Sequence, residues 1–194
     1  EIQVGMINPS AVLTMAHRGT GPFAEPVPVR VISVLPSFDQ LVFSVTEQTG
    51  LRSLEEVAAR RYPLRVSIRG PRENSVPLVV ETVLGAHGFS LDDIVSWGGS
   101  VTYDRRLPGA RMVEVEQGNA DAIFDEAVTQ FVERAVELGM RHLDVDASVV
   151  AGLGATGLRP GTVAKANFPK LPADVHTVDF SGFPVYTHAD VTGR

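Results

Sequence analysis

Arg69, Arg72, Asn74 and Ser75 crowd the seven residues between an apolar run at 64–68 (LRVSI) and a stripe of Val76, Val79, Val80, Val83 and Leu84. The stripe has the i, i+3, i+4, i+7, i+8 spacing of one helical face. Pro77 fits the first turn of that helix, where a missing N–H does little harm. A strand, a loop and a helix start therefore follow one another. A helix start presents free N–H groups and the positive end of a dipole, which suit an anion. Guanidinium, amide and hydroxyl groups beside it match a carboxylate through charge-assisted hydrogen bonds. Ser67, at the end of the strand, belongs to the same candidate group. The plainer alternative uses the same residues: Asn74 or Ser75 caps the helix and both arginines are solvated.

Other groups have weaker patterns. Asp125 and Glu126 follow an apolar strand at 120–124 and open a helix. There they suit an amine, a hydroxyl or a cation, or they serve as ordinary N-terminal acids. Asn8, Pro9 and Ser10 repeat the strand–turn–helix arrangement near the start of the chain. His142, Asp144 and Asp146 alternate along one strand face, a loose metal-ligand pattern that solvated strand edges also produce. The GLGATG run at 152–157 has no preceding strand, so it is not a dinucleotide fingerprint. No serine sits in a nucleophile elbow, and His17, His87, His142, His176 and His188 are scattered. Phe180, Phe183 and Tyr186 are expected in core or hinge packing, with lining of an apolar pocket as a second use. No catalytic set, metal or cofactor is expected, so the chain reads as a binder and not an enzyme.

The elements that must position these groups alternate. Strands are expected at 2–7, 29–35, 41–46, 64–68, 94–98, 120–124 and 141–146, with one long extended segment at 175–188. Helices are expected at 10–17, after the Ser53/Glu56 capping box, at 75–87 before Gly88, at 109–118, and at 126–138 before Gly139. The Gly- and Pro-rich stretch from 152 to 174 reads as loop-rich. This alternation predicts an α/β fold. The most regular part, about 50 to 145, reads as a lobe of its own, joined to its flanks by extended segments at 40–48 and 176–187. The 194 residues are 44% hydrophobic and 21% charged, ordinary for a packed domain. A net charge of −6 argues against a nucleic-acid partner or long-range attraction to an anionic membrane. The absence of cysteine removes disulfide and thiolate chemistry. No run has the length of a transmembrane helix and no signal peptide is recognisable; the natural N-terminus is expected to lie upstream of Glu1.

Five stretches, taken in order, resemble the TAXI-type solute-binding proteins of TRAP transporters. They are GMINPSAVLTMAHRGTGPF, SVTEQTGLRSLEEVAARRYPLRVSIRG, HGFSLDDIVSWGG, GNADAIFDEA and FPKLPADVHTVDFSGFPVYTHADV. The resemblance implies a type II periplasmic-binding-protein fold, with two α/β lobes, two crossing strands and a ligand in the cleft between them. It divides the chain into 1–47 as part of lobe I, 48–146 as lobe II, and 147–194 as the return to an incomplete lobe I. It implies an extracytoplasmic protein that captures a small organic acid or amino acid for TRAP membrane subunits. By position it places Asn8, Pro9 and Ser10 on the first-lobe loop and residues 67–75 on the second-lobe loop. Asp125 and Glu126 fall at the next strand end, and Phe38, Asp39 and Gln40 before the first crossing strand. The family's opening strand and C-terminal helices are expected to be missing. Its loop after strand 64–68 is often Gly/Ser-rich, whereas here it is arginine-rich. A ligand-sensing regulatory domain of the same fold is the alternative function.

Overall fold

The computed structural model describes residues 4–188. Two sheets organise them. In the smaller sheet, β10 (Gly182–Thr187) lies between β1 (Gly5–Met6) and β2 (Arg30–Pro36), all antiparallel. The larger sheet runs β5 (Ser100–Asp104), β4 (Arg65–Arg69), β6 (Ala122–Asp125), β3 (Gln40–Thr46), β9 (Val175–Asp179), β8 (Pro160–Val163), and β7 (Met140–Leu143) also pairs with β3. β4 is parallel to both β5 and β6, so three carboxyl ends meet at one edge of this sheet. In α/β sheets that edge is where ligands collect.

β3 is the centre of the packing. Its side chains alternate between two apolar clusters, as a strand's period of two requires. Leu41, Phe43 and Val45 join one cluster and Val42 the other. The first cluster is covered by α2 (Leu54–Arg60), α3 (Ser75–Ala86), α4 (Leu91–Ser96) and α7 (Ala147–Gly152), which contribute Leu54, Val79, Val80, Val83, Ile94 and Val150. The second is covered by α5 (Pro108–Glu116) and α6 (Val132–Glu137), through Met112, Val132 and Ala135. The fold class is thus mixed α/β, as expected. All five residues of the α3 stripe are buried. At about 1.5–3 kcal/mol for each fully buried Val or Leu, that stripe decides which way the helix start points.

α1 (Ala11–Arg18) completes the helices. It packs on the larger sheet's side: Ala11 joins the first cluster, and a side chain at Gly157 would overlap Thr14. The chain then returns to β2, all seven residues of which are exposed, including Val31, Ile32, Val34 and Leu35. Two short segments pass between the sheets. Residues 37–39 join β2 to β3, and Phe180–Ser181 joins β9 to β10. They are bonded together, since the Ser37 N–H donates to the Ser181 carbonyl at 3.0 Å.

Several elements differ from expectation. The strand expected at 94–98 is α4, held by a reciprocal box in which Ser90 Oγ accepts from the Asp93 N–H and Asp93 accepts from the Ser90 N–H. The strand follows it, as β5. The helix expected at 126–138 is a single 3-10 turn, Val128–Gln130, followed by the shorter α6. The stretch 152–174, which follows α7, contains a second 3-10 turn at Gly154–Thr156, and β8. The single extended segment at 175–188 is two strands in different sheets. Residues 2 and 3 of the first expected strand lie outside the described residues.

Candidate functional site

The cleft of interest lies where the small sheet meets the carboxyl edge of the large one. Its volume is about 370 Å³. Met6, Ile7, Asn8 and Phe183 line it from the small-sheet side, and Arg69, Asn74, Ser75 and Glu126 from the other.

Each of these groups is placed by its local backbone. Arg69 is the last residue of β4 and is one-third exposed. Gly70 follows at φ +80°, and a Cβ there would overlap the Asn74 amide. That left-handed turn folds the loop back so that α3 starts beside the guanidinium. Asn74 has the extended backbone of an N-cap residue, but its side chain makes no capping bond. The plain capping explanation for Asn74 therefore fails, and Asn74 lines the cleft with its amide against Gly70. Asn8 lies just beyond β1 and precedes Pro9 through a cis peptide. Only 7% of it is exposed, and neither its Oδ1 nor its Nδ2 has a hydrogen-bond partner among the described residues. A buried amide without partners is costly unless something else satisfies it.

Glu126 is equally buried and follows β6. Its Oε1 accepts from Arg69 Nη1 at 2.7 Å, while its Oε2 is buried without a partner among the described residues. Burial, and then the neighbouring Asp125 carboxylate, push its pKa up to about 8 against the opposing pull of Arg69. Asp39 lies nearby, half-buried, and burial raises its pKa too, although Arg69 draws it down.

The remaining expected residues are placed elsewhere. Asp125 is fully buried beneath the sheet, where it pairs with Arg111 and accepts the Ala127 N–H at 3.0 Å. Ser67 is on the same side, its hydroxyl accepting from Arg111 Nη1 at 2.8 Å. Arg72 turns away from the cleft and pairs with Asp92 at 2.6 Å and Glu81 at 3.8 Å. Of the two arginines, Arg69 is the one that faces inward. Ser10 opens onto a different hollow beside Thr14 and His17. Pro9 is buried next to Asn8, and Phe38 is 65% exposed on the crossing segment.

Sequence reasoning missed Arg105. It follows β5 directly and, with Arg69, Gly70 and Asn74, lines an adjoining hollow of about 240 Å³. The signal was present in YDRR, but it carries meaning only once β5 is known to end beside β4. His142 does not form a metal set. Its Nδ1 bonds Ser44 Oγ at 2.7 Å, its Nε2 lies 3.2 Å from the Val132 carbonyl, and burial lowers its pKa to about 4. Asp144 instead accepts from the His176 N–H and Asp146 from the Ser148 N–H. No group of three potential metal ligands occurs among the described residues, and none of their helices is long and apolar enough to cross a membrane.

No known family model matches the chain, and no curated protein matches it. Solved structures do. The alkanesulfonate-binding protein SsuA from Xanthomonas axonopodis pv. citri, bound to MOPS, is similar over 73% of this chain and 42% of its own, at 16% identity and a TM-score of 0.46. PEB3 bound to L-phospholactate is similar over 96% of this chain and 67% of its own, at 12% identity and a TM-score of 0.46. A structure described as a periplasmic transporter is similar over 95% of this chain and 56% of its own, at 14% identity and a TM-score of 0.48. The chain thus spans less than half the length of the sulfonate-binding protein.

Proposed function

We propose that the cleft captures a small organic anion or amino acid, and that the chain serves as the solute-binding component of a TRAP-type transporter outside the cytoplasm. The observation that carries this reading is the convergence of Asn8, Arg69, Asn74, Ser75 and Glu126 on one cleft, with the Asn8 amide buried and unpartnered. A carboxylate bound there meets the Arg69 guanidinium and the first N–H groups of α3, both complementary to it. A ligand that also bonds Asn8 touches both sheets at once.

The two sheets correspond in this proposal to the two lobes, the small sheet of β1, β2 and β10 to the first and the large sheet, which includes β3, β8 and β9, to the second. Contact with both sheets is the differential interaction that favours a closed arrangement over an open one. The resemblance of the whole sequence to TAXI-type proteins supports the transporter role, with TRAP membrane subunits as the partners. In this reading the ligand is bound and released unchanged.

Thermal-shift measurements with a panel of small carboxylates and amino acids test the proposal. A ligand at one hundred times its Kd stabilises the fold by about 2.7 kcal/mol, or roughly 5–10 °C for a chain of this size. Arg69→Ala is expected to abolish the shift and Arg72→Ala to preserve it. Equal loss in both variants, or no shift with any member of the panel, rejects the proposal.

A further inference from the structure

Resting on that function, we infer that the hollow beside the cleft is a second anion subsite, in which Arg105 grips an acidic group at the far end of the solute. The solute is then an acid at both ends. The two spaces share a wall, because Arg69 and Asn74 line both the cleft and the hollow. A molecule held by one end at the start of α3 therefore extends past Arg69 towards Arg105.

Pairing sets Arg105 apart from the other arginines around it. Arg69 and Arg72 stand at the end of β4, and Arg105 and Arg106 just beyond β5. Arg69 Nη1 donates to Glu126 Oε1 at 2.7 Å, and Arg72 pairs with Asp92 at 2.6 Å. Arg106 donates to Asp104 Oδ2 through both Nε and Nη2, at 2.8 and 2.6 Å, and pairs with Glu114 at 3.2 Å. The Arg105 side chain has neither an ion pair nor a hydrogen bond among the described residues. Asp104, the acid next to it in the chain, is thus already matched by Arg106. No acid lines the hollow, which is walled by Arg69, Gly70, Pro71, Asn74 and Arg105. On a chain of net charge −6, that is a local concentration of positive charge, which attracts an anion.

The backbone fixes this placement. β4 and β5 run parallel with Arg69 opposite Asp104, and the Gly70 N–H donates to the Asp104 carbonyl at 2.7 Å. Arg105 is one residue past that last pair, level with the turn at Gly70. A guanidinium presents a planar fork of donors that fits the oxygens of a carboxylate or phosphonate. Arg105 is exposed, so it stays hydrated when a neutral group occupies the hollow. Discrimination therefore comes from attraction to a second charge and not from a penalty on its absence.

The test is isothermal titration with matched ligands that differ at one end: succinate or 3-phosphonopropionate against butyrate, and L-aspartate against L-asparagine. The ligand with two acidic ends is expected to bind about tenfold tighter than its neutral-ended counterpart, as a hydrogen bond between charged groups gives. Preference for either succinate or 3-phosphonopropionate supports the inference and shows which acidic group the hollow takes. Arg105→Ala should remove the advantage and leave the affinity of the neutral-ended ligand unchanged, which also shows that the variant is folded. Arg105→Lys keeps the charge and should retain part of the advantage, and Arg106→Ala should retain all of it. A neutral-ended ligand that binds as tightly as its counterpart, or an advantage that survives Arg105→Ala, overturns the inference and leaves the solute-binding function standing. Absence of binding by every member also overturns it, and the thermal-shift panel then tells whether the function falls as well.

Discussion

Asp125 and Glu126 are adjacent acids with opposite fates. Asp125, the last residue of β6, pairs with Arg111 beneath the sheet, while Glu126, one residue beyond the strand, takes Arg69 and lines the cleft. Their presence at a strand end was legible in the sequence, but their division of labour was not. It depends on Arg111, which lies on α5 and meets Asp125 only when that helix packs beneath β6. The same arginine accounts for Ser67, whose hydroxyl it engages. Arg111→Ala strands a buried carboxylate and should cost about 3–5 kcal/mol in urea denaturation. Arg72→Ala removes exposed ion pairs only, and the same measurement should register no more than about 1 kcal/mol.

At the scale of elements, the strongly periodic segments were the readable ones. α3 and β3 carry long, regular apolar patterns, and both form where expected. The failure falls on SLDDIVSW, where Ile94 and Val95 favour a strand by type and two glycines follow. Ser90 and Asp93 outweigh them by closing a reciprocal cap, and Leu91 and Ile94 are buried three residues apart on one helical face. Misplacing this element conceals the real strand, β5, and with it the position of Arg105. Ser90→Ala removes the cap and is expected to destabilise the protein by about 1 kcal/mol, measured by thermal or chemical unfolding. Because α4 covers the first apolar cluster and not the cleft, ligand affinity should be unchanged.

For the whole molecule, the alternation of strands and helices was enough to fix the class as α/β. Strand order was harder to infer. β8 arises in a stretch whose glycines and prolines read as loop, and it forms because β9 offers it a partner 12 or more residues away in sequence. The break at Phe180–Ser181 was hidden because both halves of the segment are apolar and extended, and only the bonding to Ser37 shows where one sheet ends. The small sheet also sets how the protein behaves as a colloid. β2 is an edge strand that exposes Val31, Ile32, Val34 and Leu35 together, the kind of edge that pairs with other chains. What keeps such molecules apart is their shared net charge of −6, and salt shortens the reach of that repulsion to about 10 Å at 0.1 M. Light scattering at neutral pH should therefore rise with ionic strength and with approach to the isoelectric point near 5.3, and Ile32→Glu with Val34→Glu should suppress both trends.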